Sequence, residues 1–185
     1  VPGMDVASVI EEIGAGTKTH LAIGDAVMAM VVNHASHGGY SESIVLPADA
    51  VVRAPAGVTL IEAATLPMNG LTARQSLDQL ALKPGQTLAV TGAAGCYGGY
   101  VVQLAKADGL RVIADASPAD TALVRALGAD IVVHSGTKYL DGQGRVVAGA
   151  LCASQALVEK TFIPVMRSAG MSLSPFNAWV VLKGM

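Results

Sequence analysis

Apolar runs separated by short turn-forming stretches dominate the first part of the chain. Alternating or continuous apolar residues at 6–13, 26–32 and 43–52 predict three β-strands, because glycine, proline or aspartate separates the runs. Helical spacing of apolar residues at 60–65 and 71–82 predicts two helices after these strands. The sequence therefore predicts a β-rich segment that leads into two linking helices.

A different pattern begins at residue 87, where strand-like and helix-like segments alternate. Strands are predicted at 87–91, 110–114 and 131–133, and helices are predicted at 98–107 and 119–127. Strands that alternate with helices in this way form parallel sheets with crossover helices. This part of the chain is expected to adopt an α/β fold.

The C-terminal part carries a further helical pattern and an apolar segment. Residues 148–160 predict a helix, since their apolar positions recur at helical spacing. Residues 175–182 include Phe176, Trp179 and Val180, which are suitable anchors for packing on another surface. The tail therefore contains apolar residues with which it could cover an exposed edge of a sheet.

A glycine-rich turn lies between the predicted strand 87–91 and the helix that follows it. Glycines three residues apart allow a sharp turn, a close approach of the backbone to a pyrophosphate, and tight packing of the helix on its strand. The helix N-terminus then faces the anion. The candidate residues for binding a dinucleotide here are Gly92, Ala93, Gly95 and Gly98.

Asp115 stands at the end of the second predicted strand, about 20 residues after the first glycine, where a ribose-binding acid is expected. A carboxylate there accepts hydrogen bonds from the ribose hydroxyls and repels a 2′-phosphate, so it favours NAD over NADP. Ser117 is a further candidate for this site. The alternative is that Asp115, Ser117 or Asp120 caps the next helix.

Composition narrows the classes of function. The net charge of −2 and the pI of about 6.1 argue against nucleic acid as the main partner. Mean hydropathy is +0.51, but charged residues interrupt the apolar runs before they reach the length of a membrane span. Cys96 and Cys152 form no disulfide framework, which favours a cytoplasmic location.

From residue 2 to about residue 133, several motifs occur in the order that is typical of one superfamily. This stretch resembles the zinc-free, quinone oxidoreductase-like branch of the medium-chain dehydrogenase/reductases. The glycine turn is one of these motifs, and the others are PGMDV (2–6), EEIGAG (11–16), GDAVM (24–28), HGGYSE (37–42), LPMNGLTA (66–73) and RALGAD (125–130).

The resemblance implies an NAD(P)-dependent hydride transfer to a quinone, enone or related small carbonyl substrate. It places Asn69 and Thr72 near the nicotinamide and Tyr40 on the substrate side. The zinc-dependent branch carries Gly-His-Glu where this chain has Gly-Met-Asp, and its cysteine-rich zinc loop is absent, so we predict no zinc. His34 and His37 are accordingly interpreted as ordinary loop residues.

From about residue 130 the motifs change. The segments ADIVVHSGTKYLDGQGR (129–145) and SAGMSLSPFNAWVVLKGM (168–185) resemble the fold-type I pyridoxal-phosphate (PLP) enzymes of cysteine and methionine metabolism, of the O-succinylhomoserine sulfhydrylase type. The resemblance implies that Lys138 bonds the cofactor and that the hydroxyls of Ser135 and Thr137 hold its phosphate. A lysine in a tight turn beside two hydroxyls suits an aldehyde that carries an anion.

The two resemblances together predict a chimera with three parts. Residues 1–80 are expected to form a truncated β-rich GroES-like domain with linking helices, residues 81–133 the first half of a Rossmann-type parallel sheet, and residues 134–185 a fragment of a PLP enzyme. The junction could come from recombination, a gene fusion or a sequence-assembly error.

Three functional hypotheses follow from this interpretation. The first is an NAD(P)-dependent oxidoreductase that is incomplete and reduced to cofactor binding. The second is a PLP-dependent sulfhydrylase-type fragment, and the third is a non-catalytic hybrid chain. Because half of the sheet is expected to be missing, the strand at 87–91 would expose one edge, which favours self-association unless the tail covers that edge.

Overall fold

The computed structural model describes residues 2–32, 38–135, 145–169 and 173–184. The chain divides into two compact units, Val1–Thr72 and Ala73–Met185. The fold is mixed α/β, as expected. Within the described ranges, no helix combines the length and the apolar character needed to cross a membrane.

The first unit contains a three-stranded antiparallel sheet in the order β1-β2-β3. Its strands are β1 (Asp5–Val9), β2 (Ala26–Met30) and β3 (Val51–Arg53). The strand predicted at 43–52 is wrong over most of its length. Pro47 has no N–H to donate to a strand ladder, and a 3₁₀ turn follows it at Ala48–Ala50. Regular pairing therefore begins only at residue 51.

Two helices follow the sheet, as predicted. The short helix α1 (Leu60–Ala63) begins with a capping box, in which the Thr59 hydroxyl accepts from the Glu62 N–H at 3.2 Å. The Glu62 carboxylate in turn accepts from the Thr59 N–H at 2.8 Å. The second helix, α2 (Pro67–Leu80), begins four residues earlier than predicted, with proline at its first position, where a missing N–H costs nothing.

The second unit is built on the alternation that the sequence predicts. Its sheet has the order β4-β5-β6-β7, and the first three strands run parallel. Helix α3 joins β4 to β5, and α4 joins β5 to β6. The elements are β4 (Thr87–Val90), α3 (Cys96–Ala107), β5 (Arg111–Asp115), α4 (Thr121–Ala126) and β6 (Ile131–Ser135).

The tail departs from its prediction. Instead of one helix at 148–160, residues Gly149–Cys152 form β7, which pairs antiparallel with β6. The unpaired backbone groups on the outer edge of β6 attract a strand, so tertiary pairing overrides local helical pattern. The remaining elements are α5 (Gln155–Leu157), a π-helical turn (Val158–Phe162), α6 (Ile163–Ala169) and α7 (Pro175–Gly184).

The position of β7 leaves β4 at the opposite edge of the sheet. Within the described residues, no strand pairs with the outer edge of β4. Helix α7 instead buries Val180 and Val181 in a small cluster with Val146. The described part of the tail thus extends the sheet at β6 and adds no strand beside β4.

The core of the second unit lies between the sheet and its crossover helices. Fully buried valines come from both layers, with Val102 on α3, Val124 on α4, Val112 on β5 and Val132 on β6. Alternate residues of each strand face this layer, which is the period expected of strands packed on one face. Burial of each valine contributes roughly 1.5–3 kcal/mol, which fixes the ends of the strands relative to the helices.

Asp130, in the RALGAD motif, joins three elements at the amino ends of the strands. Its carboxylate accepts from the Lys106 ammonium at 2.8 Å and from the Val112 N–H at 2.7 Å. Partial burial acts to raise the pKa of Asp130, but these hydrogen bonds outweigh burial and hold the pKa below its usual value. The charged form therefore stabilises the folded state.

We expect Asp130→Asn to lower the free energy of unfolding by about 1 kcal/mol at pH 7, because the pair is partly screened by solvent. The folded-state pKa lies below the unfolded value of about 3.9. The stabilisation is therefore complete above that value and is lost as the pH falls through the folded pKa. Urea unfolding at pH 7 and at low pH should show the difference between wild type and variant shrinking in acid.

Asp78→Asn is the matched control, because the Asp78 side chain is 63% exposed in its pair with Arg74. Its effect should be small at both pH values. Equal stability of the wild type and Asp130→Asn at pH 7 would contradict the role assigned to this carboxylate.

Candidate functional site

The glycine turn lies between the carboxyl end of β4 and the amino end of α3. Gly92 has a φ of +63°, a left-handed conformation that favours glycine. Gly95 is the N-cap residue of α3, with extended backbone angles. Helix α3 begins at Cys96, two residues earlier than predicted, so the helix N-terminus lies directly beside the turn.

The third glycine allows the helix to pack closely on the turn. A Cβ atom at Gly98 would lie 2.9 Å from the Ala93 Cα and closer still to the Gly92 carbonyl oxygen. Backbone atoms cannot move aside as the end of a flexible side chain can, so no other residue fits here without displacing the turn. Gly98 is buried, and the atoms nearest to it across this contact belong to Gly92 and Ala93 of the turn.

The first backbone N–H groups of α3 lie directly after the turn. Gly95 donates to the Gly92 carbonyl at 3.0 Å, and Gly99 donates to the Gly95 carbonyl at 2.8 Å, which opens the helical ladder. The amides of residues 96–98 precede that bond and have no acceptor within the helix. An N-terminus of this kind, behind a glycine turn, suits an anion such as a pyrophosphate.

Asp115 lies close to this turn at the end of β5. Its carbonyl oxygen accepts from the Ala93 N–H at 3.2 Å, so the turn and the end of β5 are joined directly. The residue is half-buried, and its carboxylate forms no hydrogen bond within the described part of the chain. In the described part of the chain, Asp115 and the glycine turn are therefore neighbours.

The helix-capping alternative matches the positions of Ser117 and Asp120 but not their side-chain hydrogen bonds. Ser117 is the N-cap residue of the 3₁₀ turn Pro118–Asp120, and Asp120 is the N-cap residue of α4, but neither side chain makes a capping bond. The Ser117 hydroxyl instead donates to the Asp120 carboxylate at 2.6 Å. Asp115 lies two residues before the first of these caps.

His134 also lies near this edge of the sheet, and the sequence analysis did not single it out. It sits on β6, where alternation turns its side chain to the buried layer, and it is 5% exposed. Its ring nitrogens contact the Ala116 carbonyl and the Thr121 hydroxyl. His134 could have been identified from the sequence as a polar residue within an apolar strand, since buried polar groups require partners.

The candidates for the substrate side lie in the first unit. Asn69 and Thr72 are on the first turns of α2, and the Thr72 hydroxyl donates to the Met68 carbonyl at 2.6 Å. The Asp5 carboxylate accepts from the Met68 N–H, also at 2.6 Å, and so caps this helix. The acid of the PGMDV motif therefore positions the segment that carries Asn69.

Tyr40 is held by the same N-terminal segment. Its N–H donates to the Pro2 carbonyl at 3.1 Å, and the Gly39 N–H donates to the Gly3 carbonyl at 2.8 Å. Gly3 has a φ of +101°, and a Cβ there would lie 2.7 Å from the Tyr40 ring. The Tyr40 side chain itself is 77% exposed, which leaves the ring accessible.

Part of the PLP site that the sequence suggested lies outside the described residues. This applies to Thr137 and Lys138, as it does to His34 and His37. Ser135 is the last residue of β6, at the same carboxyl edge of the sheet as Asp115.

Comparison with known proteins shows similarity to PLP-dependent enzymes in the second half of the chain. The sequence model of the Cys/Met metabolism PLP-dependent enzyme family matches residues 99–185. The chain is 44% identical over 87 residues to an O-succinylhomoserine sulfhydrylase of Mycobacterium tuberculosis. The aligned stretch covers 46% of this chain and 21% of the relative. The match begins inside α3, earlier than the predicted junction.

A second group of relatives consists of dehydrogenases. The chain is 40% identical over 139 residues to a chloroplast envelope quinone oxidoreductase homologue of Arabidopsis thaliana. The aligned stretch covers 72% of this chain and 42% of the relative. The crystal structure of the quinone oxidoreductase from Thermus thermophilus, also solved with NADPH, superposes with a TM-score of 0.57. It is 37% identical and covers 69% of this chain and 38% of that one.

The chain spans less than half of the length of each of these relatives. The two similarities overlap, because the PLP-family match includes most of α3 and the parallel strands β5 and β6. The chain is thus a hybrid in its relationships, similar both to quinone oxidoreductase-like dehydrogenases and to PLP-dependent enzymes of cysteine and methionine metabolism.

Proposed function

We propose that this chain binds an adenine dinucleotide through the turn Gly92–Gly98, and that it binds NAD in preference to NADP. The close approach of Gly98 to the Gly92–Ala93 backbone is the observation that carries the proposal. It brings the first amides of α3 to the carboxyl edge of a parallel sheet, the place where open α/β sheets bind their ligands.

Each group around the turn has a part in this proposal. The amides of residues 96–98 and the glycine backbone would hold the pyrophosphate, and Asp115 would accept from the hydroxyls of the adenosine ribose. A 2′-phosphate would meet the Asp115 carboxylate and be repelled, which is the basis of the NAD preference. Ser117 adds a hydroxyl on the loop that follows.

A bound nicotinamide cofactor supplies a hydride, and the proposed acceptor is a small carbonyl or quinone. In this proposal Asn69 and Thr72 line the nicotinamide side, and Tyr40 lines the substrate side. The support comes from their shared attachment to the Pro2–Asp5 segment and from the names of the dehydrogenase relatives. Cytoplasmic location belongs to the same proposal, supported by the free thiols of Cys96 and Cys152.

We further propose that this chain binds the cofactor but catalyses hydride transfer weakly or not at all. Doubly wound sheets bind a dinucleotide across a crevice between two halves. The described sheet has three parallel strands, and its fourth strand is antiparallel. Adenosine and pyrophosphate contacts would therefore be available, whereas hydride transfer would be weak or absent.

Calorimetric titration with NADH tests this function. We expect weak binding by the wild type and none by Gly95→Asp, because a carboxylate at the N-cap position would occupy and repel the pyrophosphate site. Ala107→Asp is the matched control, since it adds the same charge at the exposed far end of α3, roughly 18 Å away. Unchanged affinity in Gly95→Asp would contradict the proposal.

The same titration with NADPH tests the role of Asp115. We expect Asp115→Ala to raise affinity for NADPH relative to NADH by about tenfold, the equivalent of removing one repulsive contact of about 1.4 kcal/mol. An unaltered ratio would remove Asp115 from the ribose site and leave only the glycine turn.

Self-association through β4 is a separate proposal about partners. Arg111 N–H donates to the Gln86 carbonyl at 2.8 Å, which directs alternate backbone groups of β4 toward β5. The groups between them face outward, and the side chains of Thr87 and Ala89 on this strand are exposed. An edge with unpaired groups of this kind pairs readily with a second chain.

Light scattering over a concentration series tests this proposal. We expect the wild type to associate as concentration rises and Ala89→Lys to associate less, because an edge lysine would have to bring its charge into the new pairing. Ala122→Lys, on the exposed side of α4, is the control for added charge. A wild type that stays monomeric throughout would contradict edge pairing.

The match of residues 99–185 favours one alternative function, that of a PLP-dependent sulfhydrylase-type fragment. In that alternative Lys138 bonds the cofactor, and Ser135 and Thr137 hold its phosphate. We propose instead that Lys138 does not hold PLP productively here. An amine and two hydroxyls are fewer groups than a preorganised cofactor site requires.

Incubation with PLP, followed by dialysis and an absorption spectrum, separates the two functions. We expect no band near the visible edge to persist, and Lys138→Ala to behave like the wild type and like Lys160→Ala. A stable band that is lost only in Lys138→Ala, together with γ-replacement on O-succinylhomoserine, would establish the alternative.

A further inference from the structure

We propose that His134 is a positioning residue for the dinucleotide site and sets its selectivity for the ribose. Its buried imidazole holds the loop of residues 116–120, which follows Asp115 and carries Ser117. The inference rests on the proposed function, since it concerns the same ribose-binding edge. His134 would touch neither cofactor nor substrate.

The first contact fixes the tautomer of the ring. Nδ1 of His134 lies 2.7 Å from the Ala116 carbonyl oxygen. A carbonyl can only accept, so Nδ1 carries the hydrogen and donates it. The bond is buried with the ring, which is 5% exposed. Loss of the donor would leave the carbonyl without its partner, at a cost that solvent does not readily offset.

The second contact reaches the other end of the loop. Nε2 of His134 lies 3.3 Å from the Thr121 hydroxyl oxygen, at the first residue of α4. The Thr121 hydroxyl carries one proton and is also 2.8 Å from the Pro118 carbonyl, so with Nε2 as an acceptor it donates to one of these two groups at a time. The His134 ring therefore contacts both Ala116, the first residue of the loop, and Thr121, the residue that follows it.

The attachment of the loop to His134 also affects the position of the Asp115 side chain. Its carboxylate has no hydrogen-bond partner among the described residues, so no such contact holds the side chain and its position depends on that of the backbone. On one side that backbone is held by β5, and on the other by Ala116, whose N–H donates to Val133 and whose carbonyl accepts from His134. Releasing the Ala116 carbonyl would let the carboxylate move away from the ribose.

Three variants separate this role from a general effect on stability. His134→Phe keeps a planar ring and removes both polar contacts. His134→Asn keeps an N–H donor at the position of Nδ1, because both nitrogens are bonded to Cγ. Val132→Ala opens a cavity on the same strand, where Val132 is fully buried, and leaves the loop contacts in place.

Two readouts apply, namely the ratio of the NADPH and NADH dissociation constants and the hydrogen exchange of amides 116–121 without ligand. We expect His134→Phe to reduce the preference for NADH by roughly threefold to tenfold, as for one lost hydrogen bond, and to speed exchange in the loop. His134→Asn should restore most of both. Val132→Ala should lower the melting temperature and change neither.

Wild-type values for the ratio and for loop exchange in folded His134→Phe would overturn the inference. If His134→Phe does not fold, Thr121→Val removes only the second contact, and a wild-type ratio and exchange in that variant would equally overturn it. A wild type that binds neither nucleotide would overturn the proposed function and, with it, the selectivity role. The exchange data would then still report whether His134 anchors the loop, which distinguishes the two failures.

Discussion

The close packing of α3 on the turn before it is the constraint on which the candidate site depends. A side chain at Gly98 would meet the backbone of Gly92 and Ala93, so the helix reaches its position only because glycine is there. That packing places the first amides of α3 directly after the turn, and the bond from the Ala93 N–H to the Asp115 carbonyl holds the turn against the end of β5. The candidate anion site and the acid beside it therefore come from one local arrangement.

The hybrid relationships of the chain meet within a single sheet. The PLP-family match includes β5 and β6, and the tail from that same match adds β7 to the edge of β6. An antiparallel strand can be added to a parallel sheet because the unpaired backbone groups of an edge strand can pair with a strand of either direction. The parts that resemble different families are thus joined by ordinary backbone pairing at β6.

Much of the second unit could be predicted from the sequence, because its strands and helices are separated by clear turns and differ in period. The β4–α3 turn and the acid at the end of β5 were predicted for the same reason. The misjudged strands, 43–52 and Gly149–Cys152, depend on a proline and on a distant edge. His134 was missed because its importance comes from Ala116 and Thr121, which it meets only in the folded chain.

The most direct measurement of the central claim is the change in backbone amide NMR signals when ADP-ribose is added, since this ligand carries the adenosine and the pyrophosphate without the nicotinamide. The account predicts saturable shifts at the amides of residues 93–98 and 115–117, with little change at β7 and α7. Shifts confined to other parts of the chain, or none at millimolar ligand, would contradict the assignment of the turn as a dinucleotide site.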